Sequence, residues 1–161
     1  MEKAKYLIAI IRISMGWIFL WAFIDKLAGL GFATESAKSW LNGGSPTLGF
    51  LKFGTSGPFA DFYQSLAGQG WVDWLFMLGL AGIGLALLFG VGLHIASITG
   101  TLLLFMMYTA VLPPENNPFM DEHIIYALVL LALPMLQAGH TWGIGQMWNN
   151  IPFVQKNRWL Q

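Results

Sequence analysis

Between Trp71 and Leu112 lie 42 residues with a single charged side chain, Asp73. A helix needs about 20 predominantly apolar residues to cross the hydrocarbon of a bilayer, so this run is long enough to cross twice. It divides at Gly90-Val91-Gly92, which predicts helices over about 72–90 and 93–112 joined by a tight hairpin. Pro113-Pro114 ends the second of them, because proline has no backbone N–H to donate. Two further apolar stretches complete the pattern. One covers about 6–28; Arg12 interrupts it and no small-x-small cleavage site follows, so it reads as a retained span rather than a leader. The other covers about 121–138 and contains Pro134, which is expected to kink it before Gly139 stops it.

Composition supports lipid as the solvent. Of 161 residues, 10% are charged and 56% hydrophobic, against roughly a quarter charged in an average soluble domain. Eight Lys/Arg balance eight Asp/Glu without a basic run, which excludes a nucleic-acid partner. The absence of cysteine excludes thiolate, disulfide and iron–sulfur chemistry within the chain. Lys3, Lys5, Lys156 and Arg158 flank the termini, whereas the 113–122 connection holds Glu115, Asp121 and Glu122 with no basic residue. The positive-inside rule then puts both termini in the cytoplasm. The expected class is all-α: one integral membrane domain over 1–161, a four-helix transmembrane bundle, multi-pass in the plasma membrane.

The 29–71 connection is too long for a plain linker and carries short amphipathic helix signals. Thr34 is placed to cap a turn with Ala37, Trp40 and Leu41 on one face, and Ser45-Pro46 is a cap-then-first-residue pair. Ser56-Gly57-Pro58 opens a better case, with Phe59, Phe62, Tyr63 and Leu66 at helical spacing before Gly68. Such pieces are expected in the outer interface, as a lid or a gate. Gly82, Ala86 and Gly90, and Ala96 with Gly100, form small-residue stripes that suit close packing within the bundle or between subunits.

Ionisable groups inside a membrane are functional candidates, because burying them costs several kcal/mol unless they are paired. Arg12, Gly16, Phe19, Phe23 and Lys26 fall on one stripe of the first helix. Arg12 and Lys26 are candidates for binding a small anion or a reduced quinone; about 21 Å apart at 1.5 Å per residue, they cannot hold one small ligand together. Snorkelling and interfacial anchoring are the plainer roles for the two. Asp121, Glu122 and His123 open the last helix, where the dipole and N-capping already account for carboxylates. His123 shares a face with Tyr126 and titrates near neutrality, which suits a proton relay. Asp25, Lys26, Asp73 and Asp121–His123 are all expected at the outer helix ends, in one polar layer or a solvated ring. Trp17 and Trp21, one turn apart, can stack a quinone ring or simply face lipid. His94 and His140 fall at helix ends outside any haem spacing, and no haem, flavin or metal motif is recognised.

The run Arg12-Ile13-Ser14-Met15-Gly16-Trp17-Ile18-Phe19-Leu20, closing with Asp25-Lys26-Leu27, resembles the first-helix signature of the DoxX/DoxD family of four-span membrane proteins. Leu112-Pro113-Pro114-Glu115-Asn116-Asn117-Pro118-Phe119 followed by Asp121-Glu122-His123-Ile124-Ile125-Tyr126 is similar to the opening of that family's fourth helix. The Gly43-Gly44-Ser45-Pro46-Thr47 and Gly57-Pro58-Phe59-Ala60 runs look like members with the longer outer connection. The resemblance implies a membrane subunit of a thiosulfate:quinone oxidoreductase, with quinone as acceptor, a small sulfur anion as donor, and a second subunit or a homo-oligomer as partner. In that reading His123, Glu122 and Asp121 are catalytic, and Arg12, Lys26, Trp17, Trp21 and Tyr126 bind substrate or quinone. The alternatives are a non-catalytic scaffold or assembly subunit and a small-solute or proton pathway.

Overall fold

The computed structural model describes residues 2–161. Its helices are α1 (Glu2–Ala28), α2 (Ala60–Ser65), α3 (Gly70–Phe89), α4 (Leu93–Ala110), α5 (Glu122–Met135), α6 (Gly145–Asn149) and α7 (Pro152–Lys156). No strand forms among the described residues, and a lone bridge joins Ser56 to Val111. Three helices are long and apolar enough to cross a membrane: α1 from Lys3, α3 and α4. The fourth expected span is shorter than 121–138. α5 has 14 residues and ends at Met135, with Leu136 its C-cap and Gln137 in left-handed backbone. The helix ends where Gln137 turns left-handed; Pro134 sits inside its last turn, lacking the N–H that would reach back to Leu130 O, while Leu136 N still reaches Ala132 O at 3.0 Å.

α1 packs along α3 and α4 along α5, while α3 meets α4 and α1 meets α5 over fewer residues. Met15, Phe19, Leu80, Ile83, Leu87, Leu104, Leu130 and Leu133 fill the common core. Outward faces are apolar as well: Trp17, Leu78, Ile98 and Leu128 are all more than half exposed, as expected of side chains whose neighbour is lipid.

Close packing comes from Gly16 and Gly100, which lie on stripes read from the sequence, and from Gly84, which lies on none. A Cβ on Gly16 would lie 2.9 Å from Leu88 N, and one on Gly84 would lie 2.8 Å from Leu20 N, so α1 and α3 touch backbone to backbone. Gly100 of α4 makes room for the Leu130 side chain of α5, whose Cδ1 would lie 2.7 Å from a Cβ there. Gly82 packs against nothing within 4 Å. The stripe through Gly82 and Ala86 lines open space instead of a helix contact.

The 29–71 connection forms single turns. Ser36–Lys38 and Trp40–Asn42 are 3-10, Phe50–Gly54 is π-helical, and the 3-10 turn Gly57–Phe59 leads into α2. Thr34 caps nothing; Glu35 precedes the first turn. Ser45 does cap, its Oγ accepting Leu48 N at 3.1 Å. Tyr63 is buried with Leu51 and Ala110 in a small second core, whereas Phe59 and Phe62 stay exposed.

Gly84→Ala is therefore expected to cost about 1–3 kcal/mol by overpacking. Gly82→Ala, in open space and with better helix propensity, is expected to be neutral or to gain up to about 1 kcal/mol. Thermal unfolding in detergent compares the two.

Candidate functional site

Arg12 is fully buried, and each of its five N–H groups has a backbone carbonyl to meet. Nε donates to Ala138 O at 3.0 Å. Nη1 donates to Leu87 O and, at 2.8 Å, to Leu88 O. Nη2 donates to Thr141 O at 3.1 Å and Trp142 O at 2.8 Å. A helix leaves its last four carbonyls without intrahelical partners, and here all four of α3 are met. Gly90 N and Val91 N reach Ala86 O, Arg12 takes Leu87 and Leu88, and Ile144 N reaches Phe89 O at 2.9 Å. Glycine makes the room: a Cβ on Gly90 would sit 3.2 Å from Nη1 and one on Gly143 3.2 Å from Nη2. Arg12 does not snorkel, and its bonding capacity is filled by the chain itself, which leaves a substrate anion no donor there.

The carboxylates at the opposite end serve separate local anchors. Asp25, buried, accepts Ala33 N at 3.0 Å and Phe32 N at 3.4 Å, fastening the chain as it leaves α1. Asp73 Oδ1 accepts Ser45 Oγ at 2.9 Å, Thr47 Oγ1 at 2.6 Å and Thr47 N at 3.2 Å, which ties the connection to α3. Asp121 caps α5 through Ile124 N at 3.3 Å, and its Oδ2 accepts His123 Nδ1 at 2.7 Å. Holding the proton on Nδ1 leaves Nε2 of the neutral ring as a base. Glu122 is exposed, and Tyr126 packs partly buried against the core.

Lys26 is the exception, with no hydrogen bond or ion pair among the described residues. It forms part of the wall of a crevice of about 730 Å³ between α3 and α4, and no other charged residue lines it among those described. Gly79, Gly82 and Ala86 of α3 face Ala96, Thr99 and Leu103 of α4 across the slot. Thr47 and Tyr63 bound one end with Lys26, and Gly92 and Trp148 bound the other. From Val72 to Ala86 along α3 that is a length of about 21 Å. The polar groups at the Lys26 end are already engaged, Thr47 with Asp73 and Tyr63 OH with Thr109 Oγ1 at 2.6 Å. The ammonium is thus the free donor at the head of an apolar slot, the arrangement expected of a site for an amphiphile.

Trp17 and Trp21 lie outside this crevice, their rings 5.7 Å apart and tilted, with Phe32 edge-on to Trp21 at 5.1 Å. Of the residues singled out in the sequence, Lys26 lines the crevice, whereas Arg12, Asp121, Glu122, His123 and Tyr126 do not; spacing did not locate the crevice itself, because Gly82 and Gly84 look alike in sequence. His94 and His140 share a small polar pocket of about 110 Å³ at the end that holds both termini. Searches against protein-family models, curated proteins and solved structures found no match.

Replacing Arg12 by Met leaves buried carbonyls unpaired, at about 1–3 kcal/mol each. Arg12→Met is expected to abolish folding or to lower the thermal midpoint far more than Lys26→Met. Arg12→Lys, with three donors for five acceptors, is expected to fall between. Circular dichroism melts in detergent order the three.

Proposed function

We propose that the chain is a four-helix transmembrane bundle of the plasma membrane, both termini cytoplasmic, serving as the membrane subunit of a quinone-linked oxidoreductase for a small sulfur anion such as thiosulfate. The observation that supports it is the α3–α4 crevice headed by Lys26. An isoprenoid quinone has an apolar tail for the slot and carbonyl oxygens that accept from an ammonium. The resemblance to the DoxX/DoxD family supplies the electron donor. Two thiosulfates each give up one electron and join through a new S–S bond as tetrathionate. The quinone takes both electrons and two protons.

In this reading Lys26 orients the quinone head and favours the negative charge that builds on it as it is reduced. His123, its Nδ1–H held by Asp121 at 2.7 Å, passes protons through Nε2 from the outer surface. Asp121 positions the ring. Arg12 is a fastener in this scheme, and Lys26 alone keeps the ligand role. The engagement of Arg12, Asp25 and Asp73 with backbone favours a second reading, a non-catalytic scaffold subunit.

The test uses the purified chain in lipid nanodiscs with thiosulfate and a long-tailed ubiquinone, following quinone absorbance. Reduction is expected in the parent chain. Gly82→Phe, which fills the slot, is expected to raise KM at least tenfold for the long-tailed quinone. His123→Ala is expected to lower kcat by about 10²–10⁴. Absence of thiosulfate-dependent reduction in folded chain, with or without Gly82→Phe, overturns the enzymatic reading in favour of the scaffold.

A further inference from the structure

Carboxylates are absent from residues 3–24, 74–114 and 123–161. The helix ends that hold the two termini accordingly carry Lys3, Lys5, Lys156 and Arg158, with Glu2 the sole acidic residue in sequence there. The other seven carboxylates belong to the opposite end or its connections. After α5 the chain folds across the basic end as a short strap. Val154 is buried, Trp148 Nε1 donates to Leu160 O at 2.6 Å, and His94 meets Gln161 O through both its backbone N at 2.9 Å and its ring Nδ1 at 2.8 Å. The strap is therefore fixed to α4, not a loose tail.

Its outward side is apolar. Trp142, Ile144, Met147, Ile151, Phe153 and Trp159 are each between 42% and 74% exposed. Tyr6 of α1 stacks on Trp142 with ring centroids 5.4 Å apart, which brings the start of α1, with Lys3 and Lys5, to the same surface. Lys156 and Arg158 are exposed and make no hydrogen bond or ion pair among the described residues. Aromatic side chains interleaved with unpaired cations, on short helical turns at the end of membrane-spanning helices, match a lipid interface: rings at the headgroup–acyl boundary, cations at the phosphates.

We propose that the strap over residues 142–161, with the start of α1, is a docking surface for anionic phospholipid headgroups. Charge complementarity selects the lipid class. The surface offers the exposed Lys3, Lys156 and Arg158 to a phosphatidylglycerol-type headgroup layer, with no Asp or Glu between 123 and 161. A soluble protein partner would leave the six apolar side chains facing the headgroups unexplained. This inference is independent of quinone binding, since it uses none of the crevice wall except Trp148.

The experiment equilibrates the full chain with equal amounts of phosphatidylglycerol and phosphatidylcholine in mixed micelles and counts retained lipids by native mass spectrometry. Phosphatidylglycerol is expected to be enriched at least tenfold in the parent chain. A surface cation near an anionic leaflet is worth about 1 kcal/mol, or about fivefold, so Lys156→Gln with Arg158→Gln is expected to remove most of the enrichment. Both side chains lack partners, so matched thermal midpoints are expected to show that the variant folds. Lys38→Gln with Lys52→Gln, at the opposite end, is expected to change nothing. Retention equal to the bulk ratio overturns the proposal. So does enrichment that survives Lys156→Gln with Arg158→Gln but is lost in Lys26→Gln, which would put the lipid in the crevice.

Discussion

A guanidinium with no access to solvent is tolerable only if every one of its N–H groups is satisfied, and that requirement organises the architecture. Arg12 reaches carbonyls of α3 and of the chain after α5, between 75 and 130 residues away in sequence. Three segments must converge on one side chain to within hydrogen-bonding distance. The end of α3, the early end of α5 and the glycine-rich turn at Gly139–Gly145 are each explained by that convergence. Gln137 in left-handed backbone turns the chain out of α5 and glycine lets the backbone approach, so both serve one polar contact.

The tight seam between α1 and α3 has a counterpart in the loose one between α3 and α4. α3 directs Gly84 at Leu20 and Gly82 the other way. One face is closed by backbone contact and the neighbouring face is left open. With α4 committed to α5 through Gly100, nothing within the chain fills the remaining slot. The crevice is a consequence of where the glycines fall relative to the partners of α3 and α4.

Much of this was legible in sequence. Apolar run lengths marked α3 and α4 to within two residues and α1 to within four, and the Gly90-Val91-Gly92 break fell at the hairpin. Ser45 was readable as a cap and Asp121 as another, because capping is decided by neighbours three residues away. The shortfall lies in interactions that depend on distant segments. Periodicity put Arg12 and Lys26 on one stripe and suggested kindred roles, yet one meets five carbonyls and the other meets none. Asp25, Asp73 and Asp121 were expected in one layer, but Asp25 and Asp73 hold segments of the 29–71 connection and Asp121 caps its own helix; sequence spacing does not give partners. The length of α5 was overestimated because apolar residues continue past Pro134 after the helix has ended.

The same side chain also sets an order of events. Synthesis from the N-terminus makes α1 well before residues 138–142, so Arg12 exists before three of its five acceptors do. Ten residues into α1, its guanidinium completes its set of five bonds only once the chain beyond α5 has been made. Burial of Arg12 and closure of the Gly139–Gly145 turn are therefore one event, and the first helix is finished by the residues that follow the last long one.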